Sequence, residues 1–204
     1  MKNALAKRLQ LAQSLLREHG EARAASAQER ATRLRRMASQ ARDLAASLQG
    51  DLRRFAELSV QLGDSRLTEC VLDLPLSLAT IRDIEGALAV ARSFEFLAPD
   101  KLRGDRAVIL AQAGRRDEAV ALVAKNLEQA EDAALAEAKA GDAYRALGES
   151  DAAEAYYRRS LAEAKTAFER SEAVLRIVSL LSDAGREQDA ARFLAEERKR
   201  PGSP

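Results

Sequence analysis

Two residues in this chain carry side chains on which much nucleophilic and metal chemistry depends, and each is the only one of its type. His19, in the stretch REHGE, is the single histidine, and Cys70 is the single cysteine of 204 residues. A catalytic relay needs a base oriented by a third group, and a zinc site needs ligands at short spacing. No second His or Cys stands beside His19 to supply either. His19 is read as a last-turn helix residue favoured by the negative helix end. Cys70 is read as a small apolar filler, and its solitude excludes an internal disulfide. RGDRAV and QGDLRR lack the glycine spacing and the Lys-Ser/Thr ending of a phosphate-cradling loop. The acid pairs Asp117–Glu118 and Glu131–Asp132 fall where helices should begin and compensate the helix dipole there. The expectation is a non-enzyme with no cofactor and no metal.

Composition says what elements would hold such residues. The chain has no Trp, 4% aromatic residues, four prolines and ten glycines. It is rich in Ala, Leu, Arg and Glu, which is the bias of long helices and helical repeats. The densest β-branched run, AVIL at 107–110, sits inside a helical pattern, so the fold class is all-α. No apolar stretch approaches the ~18 residues of a spanning helix. Lys7, Arg8, Gln10 and Gln13 interrupt what would be a signal peptide's apolar region. The chain therefore reads as cytoplasmic, without a transmembrane segment. Net charge is +1, but residues 1–63 carry +6 and residues 64–204 carry −5, a basic arm on an acidic body.

The second half repeats. QAGRRDEAVALVAKNLEQ begins at Gln112, and ALGESDAAEAYYRRSLAE follows 34 residues later. In the second copy Ala140, Gly141, Tyr144 and Leu147 share one helix face. Gly148 can end that helix in the left-handed conformation, and Ser150 or Asp151 can cap the next, whose buried stripe is Ala153, Tyr156, Tyr157 and Leu161. A third copy, ending a helix at Gly185, comes after an insertion of three at KTAFERSEA. There Thr166 and Glu169 have capping-box spacing, and the insertion lengthens the third unit's first helix. Each unit is two antiparallel helices that cannot cover their own apolar face, so units stack.

Residues 100–133, 134–167 and about 168–198 resemble tetratricopeptide repeats, with AGDAYRALGESDAAEAYYRRSL the best copy. The usual aromatic near the start of the first helix is Glu137 here, and Glu131 and Lys165 stand where a closing proline is usual. The resemblance implies a right-handed α-solenoid. Upstream, residues 64–99 read as a degenerate helical pair capping the first good repeat, with Pro75 interrupting its first helix. Residues 1–63 lack the 34-residue period and show a heptad: Leu34, Ala41, Leu48, Phe55 and Leu62, with Met37, Leu44 and Leu58 filling the seam. Two geometries fit it, one helix over 21–62 or two helices turning at QGD with Asp51 as N-cap. Gly20 is expected to end a first helix over 3–19, and residues 199–204 to form a disordered tail.

The resemblance implies a non-catalytic adapter whose concave groove holds a peptide or helix of another protein. In family register the groove-facing residues include Lys101, Val108 and Gln112 of the first unit, then Leu135, Lys139, Asp142 and Arg145 of the second. The third unit supplies Glu172, Leu175, Arg176 and Ser179. Lys139, Arg145 and Arg176 are expected to form a basic cluster that receives a carboxylate. The Lys/Asn pattern of chaperone-tail clamps is missing. Two alternatives stand beside this reading. The arm's heptad seam could pair with a second copy and make the chain a homo-oligomeric subunit. The arm's cations Arg30, Arg33, Arg35 and Arg36 could bind nucleic acid or an anionic surface. Nucleic acid is the disfavoured choice, since Glu29 and Asp43 share the stretch and no aromatic is placed to stack on bases.

Overall fold

The computed structural model describes residues 2–199, so residues 200–204 of the expected tail lie outside the described residues. Among the described residues there are eleven helices and no strand, arranged as an all-α solenoid of helix hairpins. The arm comprises α1 (Lys2–Ala24), α2 (Ala27–Leu48) and α3 (Leu52–Leu62), followed by the pair α4 (Arg66–Thr80) and α5 (Ile84–Ser93). Three hairpins complete the chain: α6 (Pro99–Gln112) with α7 (Arg116–Glu128), α8 (Ala133–Ala146) with α9 (Ser150–Glu163), and α10 (Ala167–Asp183) with α11 (Glu187–Glu197).

The hairpin turns follow from three glycines. Gly114, Gly148 and Gly185 adopt φ of 74°, 79° and 68°, a region a Cβ disfavours. Each lets the next residue's N–H reach back to the helix: Arg115 to Leu110, Glu149 to Tyr144 and Arg186 to Leu181, the Schellman closure. That closure corrects one expectation. The chain turns into α9 directly at Glu149, so Ser150 is the first helical residue and neither it nor Asp151 supplies a side-chain cap. The Thr166–Glu169 capping box does form, and it opens a helix of 17 residues where α8 has 14.

Successive units are tied at equivalent positions. Asn126 Nδ2 donates to the Asp100 carbonyl (3.1 Å), and 34 residues on Ser160 Oγ donates to the Ala134 carbonyl (2.8 Å). The Asp100 carboxylate accepts from the backbone N–H groups of Glu131 and Asp132, tying the start of α6 to the approach to α8. Gly104 and Gly141 serve close approach. A Cβ at Gly104 would overlap the Lys139 side chain of α8, and one at Gly141 would overlap the Tyr157 ring of α9.

Within the arm α1 and α2 pair as a hairpin, and the chain turns again between α2 and α3, where the Asp51 carboxylate accepts from the N–H groups of Arg53 and Arg54. Gly20 does not end α1, which runs on to Ala24. Glu18 and Glu21 both pair with Arg33 across the hairpin, which holds that last turn helical. The turn is made by Ser26 and Glu29, a capping box that the heptad pattern does not announce. Pro75 lies inside α4 without ending it. The ring removes the donor to the Val71 carbonyl, and Lys101 Nζ covers the neighbouring Leu72 carbonyl at 3.2 Å. The heptad residues Leu34, Met37, Ala41, Leu44, Leu48, Phe55 and Leu58 are buried in one core with Leu67, Leu74, Leu78, Phe94 and Leu102. The seam therefore packs within this chain, on α4 and α5.

Candidate functional site

Charged residues of the first helices join into a ladder across α4, α6, α8 and α10. Lys101 Nζ lies 3.8 Å from Asp73 and 2.8 Å from Asp105. Asp105, fully buried, lies 2.6 Å from Lys139 Nζ. Lys139 approaches Asp142 at 3.8 Å, Asp142 meets Arg176 at 3.3 Å, and Arg176 meets Glu172 at 2.9 Å. The Tyr157 hydroxyl donates to the same Asp142 carboxylate (2.9 Å). Burial, then the Asp142 charge and hydrogen bond, push the Tyr157 phenol upward. Arg145 makes a parallel rung, donating to Ser179 Oγ (3.0 Å) and pairing with Asp183.

This arrangement assigns places to the residues singled out by register. Lys101, Lys139, Asp142, Glu172 and Arg176 are linked along the ladder, Lys101 and Lys139 through Asp105. Lys139, Arg145 and Arg176, however, are each matched by a carboxylate, and Lys139 is only 8% exposed. Val108 is buried between α6, α7 and α8 with Val123 and Ala140. Gln112 is exposed at the end of α6. Asp105, absent from the register assignment, is the ladder's centre. Its signal in the sequence is an acid four residues after Lys101, the i,i+4 pairing spacing.

Beside the ladder, α10 packs chiefly on α9 and diverges from α8. The divergence leaves a cleft of about 240 Å³ whose lining includes Leu135, Ala138, Ser160, Phe168, Glu172 and Arg176. Phe168 is 74% exposed, and Leu175, two turns further along α10, is 62% exposed. The buried residues of α10 are Ala173, Ile177, Leu180 and Leu181. Phe168, Glu172, Leu175 and Ser179 follow the opposite phase, and an apolar ring out of phase with the buried stripe is the signal by which sequence reasoning finds Phe168. The cleft offers an apolar floor, the exposed Phe168 ring and a rim of paired charges, and Leu175 stands exposed outside its lining on the same line of α10.

The arm's cations divide. Arg33 and Arg36 donate to the buried Glu18 at 3.0 and 2.7 Å. Arg30 and Arg35 are exposed and make no ion pair among the described residues. Burial drives the Cys70 thiol up to about 12, helped by Asp73 and Glu69, so it stays protonated and inert. Among the described residues no three His, Cys, Asp or Glu side chains are grouped to hold a metal ion, and no helix is long and apolar enough to cross a membrane.

The stacked hairpins with glycine closures define an all-α helical-repeat solenoid. No family model matches the chain, and no curated protein matches it. Among the solved structures similar to it are two. One is a mutant of MamA, at 17% identity and TM-score 0.39, with 84% of this chain and 97% of that one covered. The other is BtubC (BKLC) from P. vanneervenii, at 18% identity and TM-score 0.42, with 96% and 94% covered.

Proposed function

We propose that the chain is a non-catalytic adapter that holds a peptide or helix of another protein in the cleft between α8 and α10. One observation carries this reading. Phe168 and Leu175 are exposed in a line along α10, beside an apolar floor, on a surface whose cations are already matched by carboxylates. Recognition then rests on apolar insertion and not on a free basic cluster. Burying one such side chain yields about 1.5–3 kcal/mol, and a preformed cleft loses little entropy on binding. Within this reading residues 1–63 buttress the solenoid, 64–99 cap it, and 100–198 recognise. A cytoplasmic location goes with it, since a lone buried thiol there needs no disulfide partner. Self-association through the heptad seam is the weaker reading, because those side chains already lie in the chain's own core.

The test places a photo-crosslinking phenylalanine analogue at position 168 or at position 60 in intact cells. Val60 is 80% exposed on α3 and serves as the control. Adducts of defined mass should form from position 168 and not from position 60. Absence of adducts at 168, or the same adducts from both positions, contradicts the cleft.

A further inference from the structure

The second helices α5 and α7 do not close on one another as they do on α6. Between them lies a second trough of about 310 Å³, floored by Leu88, Leu110 and Leu122. Four cations from α5, α6 and α7 with its approach line it: Arg92, Arg106, Arg115 and Lys125, against one carboxylate, Glu118. Three neighbouring acids engage two of these cations. Arg106 donates to Glu95 (2.6 Å), while Arg115 pairs with Glu85 (2.8 Å) and Glu118 (2.7 Å). Arg92 and Lys125 are exposed and make no ion pair among the described residues. Arg106 Nε is buried and has no hydrogen-bond partner there. In a body of net −5 over residues 64–204, this is a local positive site with unmet donors above an apolar floor. It lies on the opposite helix set from the α8–α10 cleft.

We infer that this trough binds an acidic segment of a partner protein that presents carboxylates beside a branched apolar side chain. Charge complementarity selects the acid, because charge-assisted hydrogen bonds to Arg and Lys are the strong ones. The leucine floor selects an apolar neighbour, which a nucleic-acid backbone does not offer. The volume lies at the bottom of the range of about 300–1,000 Å³ for small-molecule pockets, which fits one inserted side chain better than an enclosed ligand. This surface adds a second contact to the adapter reading and stands or falls separately from the α8–α10 cleft.

The test uses two rhodamine-labelled, acetylated peptides, EELLEELE and its glutamine counterpart QQLLQQLQ, read by fluorescence anisotropy with the full chain. The acidic peptide should bind about tenfold or more tightly than the neutral one. Arg92→Glu with Lys125→Glu should erase that preference without moving the melting temperature, since both side chains are exposed and make no ion pair. Arg30→Glu with Arg35→Glu makes the same charge change on the arm and should leave the preference intact. Also expected is continued preference in the Phe168→Ala, Leu175→Ala variant. Equal binding of the two peptides overturns the proposal, as does retention in the trough variant or equal loss in the arm variant. Displacement of the peptide by a thymidine oligonucleotide through Arg92 and Lys125 overturns the peptide assignment.

Discussion

Asp105 shows how far a single buried charge shapes this surface. It is fully buried with two ammonium groups, Lys101 and Lys139, against it. Buried pairs contribute little net stability compared with apolar replacements, but removing one partner strands the other. Asp105→Leu should therefore cost about 3–5 kcal/mol in chemical denaturation, and adding Lys139→Met should recover most of it. Additive losses would mean the two groups do not depend on one another. The ladder also explains why register alone suggests a free basic cluster where none exists. Register assigns Lys139, Asp142 and Arg176 to one face, and in the structure Asp142 lies between the two cations. It does not say that Gly104 lets Lys139 lie flat against α6 and reach Asp105. Pairing across units depends on that approach, which no single-helix pattern encodes.

At the scale of elements, the hairpins with glycine closures were legible and the others less so. Gly114, Gly148 and Gly185 mark ends because only a residue without Cβ takes that φ cheaply. Gly20 has no such duty: nothing lies within 4 Å of a Cβ placed there, and its φ is not left-handed. The end of α1 is set by side chains instead, through the Ser26–Glu29 box and the arginines gathered on Glu18. Burial opposes ionisation of Glu18, but hydrogen bonds and charge from Arg36 and Arg33 outweigh it and hold the carboxyl below its ordinary 4.5. A carboxyl depressed on folding adds stability above its unfolded value and loses it as pH falls through the folded one. The melting temperature of the wild type should thus fall more steeply below about pH 4 than that of Glu18→Gln. Parallel acid profiles would remove Glu18 from the hairpin's stability.

Over the whole molecule, one hydrophobic core runs from Ala12 in α1 to Ala119 in α7. The heptad seam requires that the arm pack on something, and periodicity alone leaves open whether that is this chain or another copy. The partner surface is built by Leu67, Cys70, Leu74 and Leu78 of α4, residues with no 34-residue signature to announce them. A chain beginning at Ser65 would expose that surface. It should lose cooperative melting and bind hydrophobic dyes; a soluble, sharply melting fragment would show instead that the arm is an independent attachment. Beyond that core lie the hairpins α8–α9 and α10–α11, and the divergence of α10 from α8 opens the cleft proposed to recognise a partner.

The most direct measurement compares partner capture by three versions of the full chain: wild type, Phe168→Glu with Leu175→Glu, and Arg145→Glu. Apolar recognition in the α8–α10 cleft predicts that the double variant loses the captured protein while keeping its helicity, and that Arg145→Glu retains it. Capture that survives in the double variant and disappears with Arg145→Glu would contradict the account and restore a charged groove.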